Sequence, residues 1–178
     1  MGVFFVVVFL AIFVLAIGQA VLRRQMNPYG EVAYDALPET MRNEVERVLP
    51  GFTPKNARIT KQGDEARLAG DYRGADVAVE ADFDASGALV DFEIDTRTGV
   101  RRLGLADVTD VPNTAQAEID RVLGPHRANF EPHRIFQGAL GDGERAFEAK
   151  GYAGEWKWEI EVSATGRLLE VEMEKRRR

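Results

Sequence analysis

The chain of 178 residues has no cysteine, only two histidines and no charge before Arg23. Without cysteine it can form no disulfide, no thiolate zinc site and no thiol nucleophile. His126 and His133 lie in one stretch with only Glu131 as a further ligand nearby, too few for a metal site of three or four fixed ligands. No Ser-His-Asp constellation, HExxH string or phosphate-cradling loop is present. The glycine-rich GALGDG at 138–143 lies between expected strands and opens no helix, so it reads as a hairpin loop. Nothing here predicts an enzyme, a metal or a cofactor. Cations are scarce as well: 23 Lys and Arg face 29 Asp and Glu. Six of the cations, Arg23, Arg24, Lys175, Arg176, Arg177 and Arg178, sit at the ends of the polar part. Its body is therefore more acidic than the formal −6 of the whole chain, which argues against nucleic acid.

What is present begins with Val3 to Leu22, twenty residues broken only by Gly18 and Gln19. At about 1.5 Å per residue such a helix covers roughly the 30 Å of a bilayer's hydrocarbon core. Residues 1–24 are thus expected to be a single-pass transmembrane anchor contacting the membrane through residues 3–22, with 25–36 a linker. A cleavable signal peptide is the rival, with Gly18 and Ala20 as small residues before a cut, but Met1-Gly2 lacks the usual cation. Arg23-Arg24 place the remaining domain in the cytoplasm by the positive-inside rule, a periplasmic or extracytoplasmic location being the alternative. The basic tail 175–178 suits either an anionic leaflet or solvent.

The rest repeats. After Leu37-Pro38, the apolar residues Met41, Val45, Val48 and Leu49 make a helical stripe that stops at Pro50-Gly51. After Val111-Pro112, Ala115, Ile119, Val122 and Leu123 do the same and stop at Gly124-Pro125. EVERVL at 44–49 matches EIDRVL at 118–123. Strands follow each helix. Val77, Val79, Ala81 and Phe83 alternate into Val90, Phe92 and Ile94, as Trp156, Trp158, Ile160 and Val162 do into Leu169, Val171 and Met173. A two-residue loop in each hairpin pairs Phe83–Val90, Ala81–Phe92 and Val79–Ile94, and likewise Val162–Leu169, Ile160–Val171 and Trp158–Met173. The predicted fold is α+β: the transmembrane helix, then two α-β-β-β-β repeats at 37–95 and 111–174 joined by a connector at 96–110. Each repeat is a helix packed on a four-stranded antiparallel meander.

This arrangement resembles PepSY-like domains, in particular those grouped with beta-lactamase-inhibitor-like proteins. The matching residues are Leu37-Pro38, Leu49-Pro50-Gly51, Tyr72 and the turn Asp84 to Leu89 in one copy. In the other they are Val111-Pro112, Leu123-Gly124-Pro125, Tyr152 and Ser163 to Leu168. The second copy departs by inverting Pro-Gly and by lacking an acid at Ser163. The resemblance implies extracytoplasmic proteins that bind peptides or inhibit peptidases.

The same registers put like charges face to face on the outer side: Glu80 with Glu93, Asp82 with Asp91, Glu159 with Glu172 and Glu161 with Glu170. Each such juxtaposition costs a few tenths to about 1 kcal/mol. The face is either a solvated surface kept charged against aggregation or a surface that recruits a peptide or protein of basic character. The expected function is a non-catalytic, membrane-anchored binding or sensing module, the alternative a secreted or periplasmic peptidase inhibitor released by signal cleavage. Trp156 and Trp158 fall on the inner face and are expected in the core.

Overall fold

A computed structural model describes residues 29–96 and 98–176. The chain runs β1 (Tyr29–Val32), α1 (Glu39–Val48), β2 (Thr53–Thr60), β3 (Glu65–Tyr72), β4 (Ala75–Phe83) and β5 (Leu89–Asp95). It continues with β6 (Arg101–Leu105), α2 (Asn113–Leu123), β7 (Phe130–Ala139), β8 (Arg145–Ala153), β9 (Trp156–Ser163) and β10 (Leu168–Lys175). Short 3-10 turns precede both helices and follow α2.

The expected fold of two repeats, each a helix packed on its own four-stranded meander, is corrected. The ten strands of the described residues form one sheet in the order β1-β2-β3-β4-β5-β10-β9-β8-β7-β6, with every pairing antiparallel. The last strand of one meander pairs with the last strand of the other, Glu93 opposite Glu172 at the centre. The two halves are thus related by a pseudo-twofold axis through that pair. The physical reason is the edge: β5 alone would present unpaired amides and carbonyls, and β10 satisfies them. Each meander also has five strands, because the stretches read as linker and connector supply β1 and β6.

The membrane reading finds no support in the described residues. Among the described residues no helix is long and apolar enough to cross a membrane. The span expected at 3–22 lies outside them, as do the junction to residue 28 and the last two residues of the basic tail.

The helices form where the stripes predict. Met41, Val45, Val48 and Leu49 are buried from α1, and Ala115, Ile119, Val122 and Leu123 from α2. Both stripes join one core with the inner faces of both meanders, including Phe92, Ile94, Trp158, Ile160 and Val171. Trp156 is half-buried against that core.

Repeated residues also join the halves. Arg47 donates from Nη1 to the Val122 carbonyl oxygen, and Arg121 donates from Nη2 to the Val48 carbonyl oxygen at 2.9 Å. Each arginine thus satisfies carbonyls at the C-terminus of the other half's helix, where a cation also suits the helix dipole. Glu44 and Glu118, three residues earlier, hold the two guanidinium groups at 2.7 Å. The repeated E-x-x-R-V-L string is therefore a reciprocal clasp between halves.

Two registers shift by one residue. Both hairpins carry a bulge, so Leu89 pairs with Phe83 and Leu168 with Val162, and these leucines enter the core in place of Val90 and Leu169. Leu169 turns to the other face, where it packs with Leu140 and Ala146. Tyr72 and Tyr152 are not equivalent either. Tyr72 pairs with Ala75 and is 5% exposed, whereas Tyr152 pairs with Lys157 and is 36% exposed. A one-residue offset moves a side chain to the opposite face of a sheet.

Candidate functional site: the acidic sheet face

Opposite the helices, one row of side chains crosses eight strands. From β2 to β7 it reads Arg58, Arg67, Glu80, Glu93, Glu172, Glu159, Lys150, Arg134. Two cations, four acids and two cations follow one another symmetrically about the pseudo-twofold axis. The flanking rows hold the remaining predicted acids: Asp82 opposite Asp91, then Glu174, and Glu161 opposite Glu170, then Asp95. All eight predicted carboxylates therefore share one face, and the four predicted juxtapositions occur as written. The pairing of β5 with β10 unites two acidic hairpins into one surface.

The cations treat the acids unequally. Lys150 is paired with Glu148 at 2.8 Å and with Glu159, and Lys157 lies 2.9 Å from Glu159 and 3.6 Å from Glu172. Arg67 pairs with Glu65 at 2.9 Å and Glu80 at 3.3 Å, and Arg102 with Glu148. Among the described residues Asp82, Asp91, Glu93, Glu161 and Glu170 form no salt bridge. Burial raises the pKa of Glu161 to about 7, helped by the charges of Glu148 and Glu170 and opposed by Arg102 and Lys150. Burial, then Asp82 and Glu172, raises Asp91 to about 6. Asp82, Glu93 and Glu170 are raised by the same causes, burial first. Glu159 goes the other way: burial pushes it up, but its bonds to Lys150 and Lys157 outweigh that and hold it low.

A groove of ≈ 660 Å³ runs along this face beside Thr98, Gly99 and Val100, with Asp95, Glu161 and Glu170 in its floor. The connector thus supplies one wall. Among the described residues no group of three or more His, Asp or Glu is placed to hold a metal ion. His126 instead lies against Trp158 with ring centroids 5.3 Å apart, and His133 stacks on Tyr152 at 5.4 Å. The face can therefore attract and orient cationic groups.

Several participants were missed from the sequence. Lys150 lies on β8, outside the hairpins whose alternation exposed the acids, and only the register of β8 with β9 brings it to Glu159, whereas Lys157 stands in the outward alternation of β9 itself and was readable there. The repeated Phe-x-Pro at 52–54 and 130–132 was a readable signal. Phe52 covers Gly70 and Phe130 covers Gly151, each beside a bulge in its strand.

No family model matches the chain, so the PepSY-like resemblance gains no support there, and no curated protein matches it. Solved structures show a distant likeness. A Bacteroides eggerthii protein described as periplasmic shares 10% identity over 76% of this chain and 88% of its own, with a TM-score of 0.32. A DUF2874 family protein from Bacteroides uniformis has 10% identity, coverage of 74% and 85%, and a TM-score of 0.29. Another from Bacteroides ovatus has 14% identity, coverage of 77% and 87%, and a TM-score of 0.30. Likenesses of this size carry no argument about the present chain.

Proposed function

We propose that the protein is a non-catalytic binding module of an extracytoplasmic compartment that captures a cationic peptide or protein segment on its acidic sheet face. The observation that carries this reading is the central row, in which Glu80, Glu93, Glu172 and Glu159 follow one another across four adjacent strands. Each like-charge juxtaposition costs a few tenths to about 1 kcal/mol, and Glu93, beside the axis, has no cation among the described residues to offset it. A surface serving solubility alone would intersperse the signs. Within this row the cations stand at the flanks, and Lys157 of the neighbouring row reaches Glu159 and Glu172 but none of the first half's acids, so the field around Glu93 stays negative and a basic partner supplies what is missing. The extracytoplasmic placement is the alternative weighed from the hydrophobic start and what the PepSY-like resemblance implies.

The test is capture of a labelled Lys/Arg-rich peptide, followed by fluorescence anisotropy. Wild-type protein should bind in a salt-sensitive manner. Replacing Glu80, Asp82, Asp91 and Glu93 together by Ser should weaken binding by about tenfold or more. Unchanged capture by a variant of equal stability would sink the proposal. The secreted or periplasmic peptidase inhibitor is a special form of the same binder, distinguished by whether the captured partner loses peptidase activity.

A further inference from the structure

The two halves meet in an interface that belongs to neither hairpin alone. It comprises the β5–β10 ladder from Asp91–Glu174 to Asp95–Glu170, the reciprocal clasp of Arg47 and Arg121, and the shared core. Every part of it is duplicated by the pseudo-twofold relation. The only covalent link between the halves is the segment from Asp95 at the end of β5 to Arg101 at the start of β6. In the sheet, β10, β9, β8 and β7 lie between those two strands.

That link has almost no slack. At a strand spacing of about 4.8 Å, β5 and β6 stand roughly 24 Å apart across a flat sheet. Six chain steps, fully extended, reach at most about 22 Å. A link this short can only be a strap across the sheet, with no length left for a loop. The strap is also seated. The Thr96 amide and hydroxyl both donate to the Leu169 carbonyl oxygen, at 3.0 and 2.9 Å. Val100 packs with Leu140, Ala146 and Leu169. It lies so close to Gly138 that a Cβ there would come within 2.6 Å of its Cγ1.

We propose that this junction is exchangeable, and that a second copy of the chain takes the place of the missing half whenever the strap is kept from crossing. In such a dimer the first half of one chain pairs with the second half of the other, through the same ladder, the same clasp and the same core. Only the path of the strap differs. The balance between monomer and dimer is then set by linker reach, since a link that cannot span its sites provides no effective concentration. A taut hinge is the known route to such exchange.

The full chain lacking Thr98 and Gly99 should run at twice the monomer mass by light scattering, with a native circular dichroism spectrum. Because the chain has no cysteine, Glu93→Cys with Glu172→Cys reports which halves are paired. These positions face each other across the junction. In the shortened chain the cross-link should join two chains on a non-reducing denaturing gel; a folded monomer, or a cross-link confined within one chain, overturns the proposal. Should the shortened chain fail to fold, the same cysteine pair with the natural strap decides it. Refolding from denaturant should give covalent dimers whose share rises with protein concentration, and intrachain links at every concentration overturn the proposal.

Discussion

In the second half of the sheet Lys150 and Lys157 reach four carboxylates, Glu148, Glu159, Glu172 and Glu174. In the first half Arg67 serves Glu65 and Glu80, while Asp82 and Asp91 have no ion pair among the described residues. The cores differ in a compensating way. Trp158 occupies the position that Val79 holds in the first half, and Phe92 the position that Val171 holds in the second; all four are at most 1% exposed. Two halves with one topology thus share backbone pairing and clasp, yet divide bulk and charge between them. Symmetry of strand order therefore does not require symmetry of side chains. A shared core needs only that total volume be filled.

Substitutions at equivalent positions test how far the halves differ. The largest effect should come from Trp158→Ala, about 3–5 kcal/mol less stable by urea unfolding, whereas Val79→Ala should cost clearly less. Equal costs would show that the two positions carry the same packing load after all. Next comes the clasp. Arg121→Ala frees the Val48 carbonyl and leaves Glu118 buried without its partner, so a loss of about 1.5–3 kcal/mol is expected. Arg47→Ala should cost at least as much, because its guanidinium also lies 5.8 Å from the Trp158 ring centroid. A smaller loss for Arg47→Ala would reverse the ranking of the two halves.

The smallest effect is in pH. Glu161 and Asp91 titrate higher in the folded than in the unfolded chain, so between about pH 7 and the ordinary carboxylate range the native state holds more protons. Their contribution to stability is fully present below the unfolded pKa and is lost as pH rises through the folded one. The thermal midpoint should therefore rise modestly on acidification from pH 8 to about pH 5. Glu161→Gln should flatten the part of that rise due to the second half. A profile that falls over the same window, or one indifferent to Glu161, would contradict the placement of these carboxylates.

Much of the fold was legible in local pattern. The stripes Met41-Val45-Val48 and Ala115-Ile119-Val122 fall on helices, and the pairs Ala81–Phe92 and Ile160–Val171 stand as alternation requires. The eight acids were readable for the same reason, since fixing the apolar face of a hairpin fixes its polar face. Bulges defeated that logic at Val90 and Leu169, because one inserted residue breaks the period without changing composition. Strands β1 and β6 escaped notice because both are short, and Gly30 and Gly104 interrupt their alternation.

By itself, then, the amino-acid order determined two similar helix stripes with a hairpin after each and the side on which each hairpin is acidic, because those properties depend on periods within a few residues. Only the tertiary structure decided that the two halves share one sheet, one core and one continuous acidic face. The bonds that join β5 to β10 are made by backbone amides and carbonyls that every residue but proline carries, so no side-chain pattern announces them.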